Sequence, residues 1–361
     1  MKVAFWACIA LFVSALSAGA ATDRLTSADS APMKDCSNTA RYPTVHQCFA
    51  ALSEADHGFY LLKRDRNGRP IKTRQVALLV HGLSDSPYFY RDIAQVLFRQ
   101  GINVVAIRLT GHGSAQHHLI ETSRQHWFAD VRWGMERAKF YGHHLLLGGM
   151  SLGGALVVRE ALEDDRNIAG LLLFSPALAM PWQFRLACLR KNNYRAQKEY
   201  GVGVRYQAIA NNGTCELHQI NRAYRQHPAV RRHRKLLSPG RTNQKLAGEY
   251  DELLNYPVFT VLTVFDGAID LDRTYRFTRL TEQQNNGATR LLLFTGENRT
   301  DKKGRPIDPE KLPEQTVFVS SSELRHASVL LRPSNGTFTP EVNPEFARLA
   351  AELRRFIQDY Y

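Results

Sequence analysis

Leu145-Leu146-Leu147-Gly148-Gly149-Met150-Ser151-Leu152-Gly153-Gly154 is the stretch whose reading decides the fold. Three consecutive leucines suit a strand buried on both faces, because helices covering either side leave it no polar face to show. Leu152 to Glu163 reads as a helix. Between the two lies Gly149-Met150-Ser151-Leu152-Gly153, the G-x-S-x-G form. A strand that turns directly into a helix holds its central serine in strained backbone geometry, and glycines two residues to either side let the flanking backbones approach closely. The helix N-terminus also favours negative charge developing beside Ser151. By itself this five-residue form is a weak signal, arising by chance in roughly one chain of this length in ten; the strand before and the helix after give it weight.

The same alternation extends outward. Upstream, Gln75 to Val80 and Ile102 to Ile107 read as buried strands, separated by a helix over Tyr88 to Gln100 with Ile93, Val96 and Leu97 at helical spacing. Trp127, Val131, Met135 and Ala138 form one stripe of a helix from about Ser123 to Phe140. His143-His144 starts the Leu145–Leu147 strand from solvent. Phe59 to Leu62 and Pro70 to Thr73 flank Asn67-Gly68, a hairpin turn signal. Downstream, Ile168 to Phe174, Pro257 to Val264 and Arg290 to Thr295 read as strands, Leu271 to Leu280 as a helix, and Pro344 to Tyr360 as a closing helix with Phe346, Leu349, Leu353 and Phe356 on one side. Strands alternating with helices of this length imply a mostly parallel sheet covered on both faces. From about Ala177 to Tyr256 the alternation stops.

A serine hydroxyl needs a base, and the base needs an orienting carboxylate. Asp266 follows the 257–264 strand and is the first candidate acid. Asp270 is the second; it and Asp272 also suit N-terminal capping of the next helix. His326 stands between the last strand region and the closing helix, and no other histidine occurs after His233. Backbone amides of Leu152 and of Leu83, in His81-Gly82-Leu83, are the candidate donors to an oxyanion. His81 is expected to hold that loop in shape. His112, His117 and His118 have no carboxylate or fourth ligand at metal spacing, so no metal and no cofactor is expected.

With Leu79-Val80-His81-Gly82, Leu109-Thr110-Gly111-His112-Gly113-Ser114, the turn around Ser151, Asp266-x-x-Ile269 and His326, the sequence resembles the α/β-hydrolase superfamily. It looks most like the branch of monoglyceride lipases, carboxylesterases and serine aminopeptidases. The resemblance spans roughly residues 75–176 and 257–360. It implies an α/β-hydrolase fold, a mostly parallel central sheet with helices on both faces and an inserted basic lid. It implies Ser151 as nucleophile, Asp266 as acid and His326 as base, acting on a carboxylic ester through an acyl-enzyme. The alternatives are a peptidase or amidase using the same triad, and a non-enzymatic envelope-binding protein on a hydrolase scaffold.

Composition sets the surroundings. The chain has 361 residues, 44% apolar and 22% charged, enough to bury a large core. Met1-Lys2, the apolar run Val3 to Leu16 and Ala18-Gly19-Ala20 read as a cleaved signal peptide over residues 1–20 and predict a secreted or periplasmic protein. Cys36, Cys48, Cys188 and Cys215 then remain, an even number that admits three pairings. Cys36–Cys48 and Cys188–Cys215 are expected because each closes a local loop. The organisation expected is an N-terminal extension over 21–56, a core over 57–177 and 257–361, and a lid or cap over 178–256. Of the net charge of +13, most sits between Arg185 and Lys245, where fourteen Lys and Arg face two acids. Arg231-Arg232-His233-Arg234-Lys235 lacks interleaved aromatics, so nucleic acid is not the expected partner. A small-molecule or lipid ester substrate on an anionic membrane or envelope surface is.

Overall fold

The computed structural model describes residues 33–38, 40–41, 44–50, 58–163, 167–196, 205–228, 230, 254–321, 324–332 and 341–361. The expected signal peptide and the Arg231–Lys235 run lie outside the described residues. Nine strands form the central sheet: β1 (Met33–Asp35), β2 (Gly58–Leu61), β3 (Thr73–Val80), β4 (Asn103–Ile107), β5 (Gly142–Met150), β6 (Ile168–Phe174), β7 (Val258–Thr263), β8 (Thr289–Thr295) and β9 (Gln315–Ser320). Their spatial order is β1-β2-β4-β3-β5-β6-β7-β8-β9, and every pairing is parallel except β2 against β4.

Side chains alternate across a strand, so each buried run feeds two cores. Val76, Leu78, Val80, Leu145, Leu147, Leu171 and Leu173 point to one face. There they meet helices α2 (Arg124–Lys139) and α3 (Leu152–Glu163) through Trp127, Val131, Leu156 and Val157. Ala77, Leu79, Leu146, Leu172, Phe259 and Phe294 point to the other face, against α1 (Arg91–Arg99) and the closing helix α6 (Phe346–Tyr360). Leu353 and Phe356 are fully buried there. Among the described residues, no helix is long and apolar enough to cross a membrane.

One expectation is corrected. The Asn67-Gly68 turn forms, with Gly68 at φ +76° and the Asp65 carboxylate accepting from the amides of Asn67 and Arg69. The flanking segments do not pair as strands beyond one bridge, Arg64 to Pro70. Pro70 has no N–H to extend a ladder, and β2 is instead taken by β4, Phe59 opposite Ala106.

Between β6 and β7 the chain leaves the sheet. A 3₁₀ segment (Trp182–Leu189), a two-stranded ribbon (Tyr194–Ala196 with Ala208–Ala210) and helix α4 (Asn211–Gln226) follow. Cys188–Cys215 joins the 3₁₀ segment to α4, and Cys36–Cys48 closes the loop after β1. The face that α4 buries carries Asn212, Gly213, Thr214, Glu216 and Asn221 beside Leu217 and Ile220, so its apolar period is broken. The Asn212 amide donates to the carbonyls of Leu119 and Thr122, and Glu216 pairs with Arg124 at 2.7 Å. Polar fastening of this kind leaves no hydropathy signal. After β7 comes α5 (Leu271–Gln284), which returns the chain to β8.

Candidate active site

Ser151 sits in the turn from β5 to α3 with φ +50°, a left-handed conformation that non-glycine residues adopt only at a cost. The surrounding backbone leaves no room for larger neighbours. A Cβ on Gly153 would lie 1.9 Å from the Val80 carbonyl oxygen, and one on Gly149 would lie 2.4 Å from that of Gly153. The turn is pinned by hydrogen bonds from Ser151 N to Phe174 O (3.1 Å) and from Ala177 N to Ser151 O (2.9 Å). The serine thus stands above the C-terminal edge of the sheet, where an open α/β sheet presents its ligand crevice.

Two other loops at that edge converge on it. His326 Nε2 lies 2.7 Å from Ser151 Oγ, and His326 Nδ1 lies 2.7 Å from Asp266 Oδ2. A carboxylate can only accept, so Nδ1 carries the proton and Nε2 is left to accept from the serine hydroxyl. Asp266 is buried, and its other oxygen accepts from the amides of Ala268 (2.8 Å) and Ile269 (3.2 Å). Burial alone would raise its pKa. His326, through charge and hydrogen bond, together with those two amides outweighs burial and holds the carboxyl below its ordinary value. Asp270 does not reach His326 within these bonds; its carboxylate caps α5 by accepting from Arg273 N at 3.2 Å. Thr263 Oγ1 donates to Leu324 O, which ties the histidine loop to the end of β7.

The loop after β3 closes the fourth side. A Cβ on Gly82 would lie 2.3 Å from Asp85 Oδ2 and 3.3 Å from the Ser151 Cβ, so this backbone runs close between the two side chains. His81 shapes the loop as expected: its Nε2 accepts from Leu109 N (3.0 Å), leaving Nδ1–H to donate to Gly82 O (2.9 Å). Leu83 packs toward Gly213 of α4, whose Cβ would fall 2.9 Å from a Leu83 methyl. The Leu152 amide opens α3 and so has no acceptor within its helix.

Two residues here, Asp85 and Arg205, were not read from the sequence. Asp85, buried beneath Gly82, forms an ion pair with Arg205 at 2.7 Å, with the two side chains only 1% and 7% exposed. Burial raises the Asp85 pKa against the pull of Arg205 and His326. The next residue, Tyr206, donates its hydroxyl to Gly111 O (2.9 Å) and stacks on His112. The inserted segment is therefore bolted to the loops that frame Ser151. Asp85 could have been suspected as an acid just past His81-Gly82; Arg205 lies where the sequence shows no periodicity.

Burial holds the His81 imidazole neutral, its pKa lowered from 6.5 to about 4. Above pH 6.5 neither folded nor unfolded chain protonates this group. Below that, the unfolded chain binds a proton that the folded one refuses, so stability falls as pH drops from 6.5 to about 4. The loss from His81 is about 3 kcal/mol over that window. His112, lowered by burial and by His81, pushes the same way; the buried Asp85 carboxyl, raised, pushes against these two imidazoles, and Asp266 adds its loss only below about pH 4. Urea midpoints measured from pH 7 to pH 4 are expected to fall steadily; a flat profile would remove the neutral-imidazole account.

With the geometry in view, comparisons with known proteins locate the fold. Residues 71–240 match the family model described as serine aminopeptidase, S33. A thermostable monoacylglycerol lipase of Bacillus sp. (strain H-257) is 31% identical over 104 residues, which are 29% of this chain and 41% of the lipase. The match thus spans less than half of that relative's length. Among solved structures, one described under the metagenome-derived lipolytic enzymes LipS and LipT aligns at a TM-score of 0.55 and 15% identity, covering 83% of this chain and 97% of the other. A soluble variant of monoglyceride lipase from Saccharomyces cerevisiae aligns at 0.52 and 12% identity, covering 84% and 92%. At such identities the likeness is one of fold. With the sheet order and the serine turn, it establishes the architecture: the chain has the α/β-hydrolase fold.

Proposed function

We propose that the protein hydrolyses carboxylic esters, with Ser151 as nucleophile, His326 as general base and acid, and Asp266 as the group that orients the imidazole. The observation that carries this reading is the unbroken chain from Asp266 through His326 to Ser151, with 2.7 Å at each link. Ser151 Oγ attacks the ester carbonyl and passes its proton to His326 Nε2. The carbonyl oxygen becomes an oxyanion, met by the backbone amides of Leu83 and Leu152. Collapse expels the alcohol, which takes the proton from His326, and leaves the acyl group on Ser151. Water then attacks that ester while His326 takes its proton and returns it to Ser151, freeing the acid. Asp266, kept ionised, stabilises the imidazolium of both steps.

The lipase relative supports a lipid ester as substrate. The net charge of +13 supports an anionic membrane or envelope surface as its setting. Two disulfides support export, since such bonds persist in oxidising compartments. The serine aminopeptidase family model favours a second reading, an amidase with the same three residues. Acyl esters of graded length, run beside aminoacyl amides, separate the two: cleavage of esters and not of amides is expected. A fluorophosphonate probe that fails to label the folded wild-type protein would end both readings.

A further inference from the structure

The loop after β3 passes Ser151 at Gly82 and then turns a strained corner. Ser84, one residue beyond Leu83, is left-handed at φ +68°, a conformation that a residue with a side chain holds only when its surroundings fix it. What fixes it comes from the inserted segment, 121 residues along the chain. Ser84 O accepts from Tyr206 N (3.0 Å), and Ser84 Oγ accepts from Arg205 Nε (3.2 Å). The same Nε lies 2.7 Å from Asp85 Oδ1. Tyr206 is itself tied down, its hydroxyl accepting from Ser114 N (3.1 Å) while it donates to Gly111 O. Arg205 thus reaches the corner from a firm base.

Asp85 stands close to the reacting centre. The Cβ position of Gly82 falls between Asp85 Oδ2 and Ser151 Cβ, 2.3 Å from the first and 3.3 Å from the second. The Asp85 carboxyl also feels the charge of His326, after burial and after Arg205. A carboxylate left unpaired there would oppose the negative charge that forms on the substrate's carbonyl oxygen. A buried charge stripped of its partner is costly in itself. Arg205 removes both penalties.

We infer that Arg205 is a positioning residue for ester hydrolysis: from the inserted segment it fixes the Ser84–Asp85 corner and cancels the Asp85 charge, and so holds the Leu83 amide on the oxyanion. The inference rests on the ester-hydrolase reading. Arg205 acts through the loop, without touching the reacting atoms. Its effect therefore falls on kcat, because an oxyanion depends on an aimed donor far more than a neutral carbonyl does.

The test uses p-nitrophenyl butyrate, with kcat counted per serine that a fluorophosphonate labels at completion, so that unfolded protein does not enter. Arg205→Gln is expected to lower kcat about a hundredfold, the cost of a lost oxyanion donor, with KM within about threefold of wild type. Affinity for a trifluoromethyl ketone, whose adduct on Ser151 bears the oxyanion, should fall by a similar factor. Arg205→Lys keeps a charge beside Asp85 and so secures a folded protein, but it lacks the planar guanidinium; a loss of about tenfold is expected. Arg205→Met/Asp85→Leu replaces the buried pair by apolar side chains, a change that folds commonly tolerate. It should lose about as much kcat as Arg205→Gln. Arg190→Gln, which removes an exposed charge from the same segment, should match wild type. The inference is overturned if kcat per serine stays within about threefold of wild type in the Arg205 variants that fold, or if it falls while ketone affinity does not. A purely structural role would give the first of these results: fewer labelled serines, each turning over at the wild-type rate. A wild-type protein that neither cleaves the ester nor takes the fluorophosphonate would instead defeat the ester reading itself.

Discussion

Ser151→Ala is expected to lower kcat against a soluble ester by about a millionfold while leaving KM within a few-fold of wild type. The size of the effect follows from the geometry. Among the described residues, Ser151 Oγ is the hydroxyl hydrogen-bonded to His326 Nε2, so its loss takes away the group that the imidazole activates. Asp266→Asn should cost about ten-thousandfold by a different route. An asparagine donates where the carboxylate accepted, which favours the imidazole tautomer with its proton on Nε2, and the serine then has no base. It also removes the charge that stabilises the imidazolium. Because the three residues act as one unit, the pair Ser151→Ala/His326→Ala should be little worse than Ser151→Ala alone. The remaining rate over water would come from substrate binding and from the Leu83 and Leu152 amides. These rates, with circular dichroism to confirm folding, decide the assignment. Retention of more than about a hundredth of wild-type activity by folded Ser151→Ala would eliminate it as the nucleophile.

The elements that the sequence disclosed are those in which burial is carried by hydrophobic side chains. Leu152–Glu163 and Ile168–Phe174 have the same ends in the structure as in the reading, because nothing but packing decides them. The strand expected to start from solvent at His143-His144 and run through Leu147 is longer, Gly142–Met150, since the added Gly142, Gly148 and Gly149 carry no hydropathy signal. Strand β9, at the sheet edge, was missed for a related reason: its residues are only partly buried, and one flank is open. Helix α4 was missed because it is held by Asn212 and Glu216 as much as by Leu217 and Ile220. The same divide runs through the site. Ser151, Asp266 and His326 were legible by order and by their place after strands. The Asp85–Arg205 pair was not, because it joins residues from segments far apart in the chain, and distance in sequence hides a salt bridge that closeness in space makes.

Gly153→Ala is expected to be the most damaging single methyl in the protein. The added Cβ would sit 1.9 Å from the Val80 carbonyl oxygen, 2.6 Å from the Val80 carbonyl carbon and 2.7 Å from the His81 oxygen. All three are backbone atoms at the end of a strand buried in the middle of the sheet, so none can swing aside as a flexible side chain would. Relief requires α3 to move away from β3. That movement would open the packing of Leu152, Leu156 and Val157 and also carry the Leu152 amide away from the oxyanion position. Stability should fall by about 4 kcal/mol or more, the range reserved for strain and overpacking in a core. Any protein that still folds should fail to label with a fluorophosphonate. The matched control is Gly267→Ala, next to Asp266, where an added Cβ meets nothing within 4 Å. There stability should change by less than about 1 kcal/mol, and labelling should persist. Urea unfolding and labelling of the two variants side by side make the comparison. Equal behaviour would mean that the close approach of β3 and α3 does not set the serine turn, and the strained φ of Ser151 would then need another source.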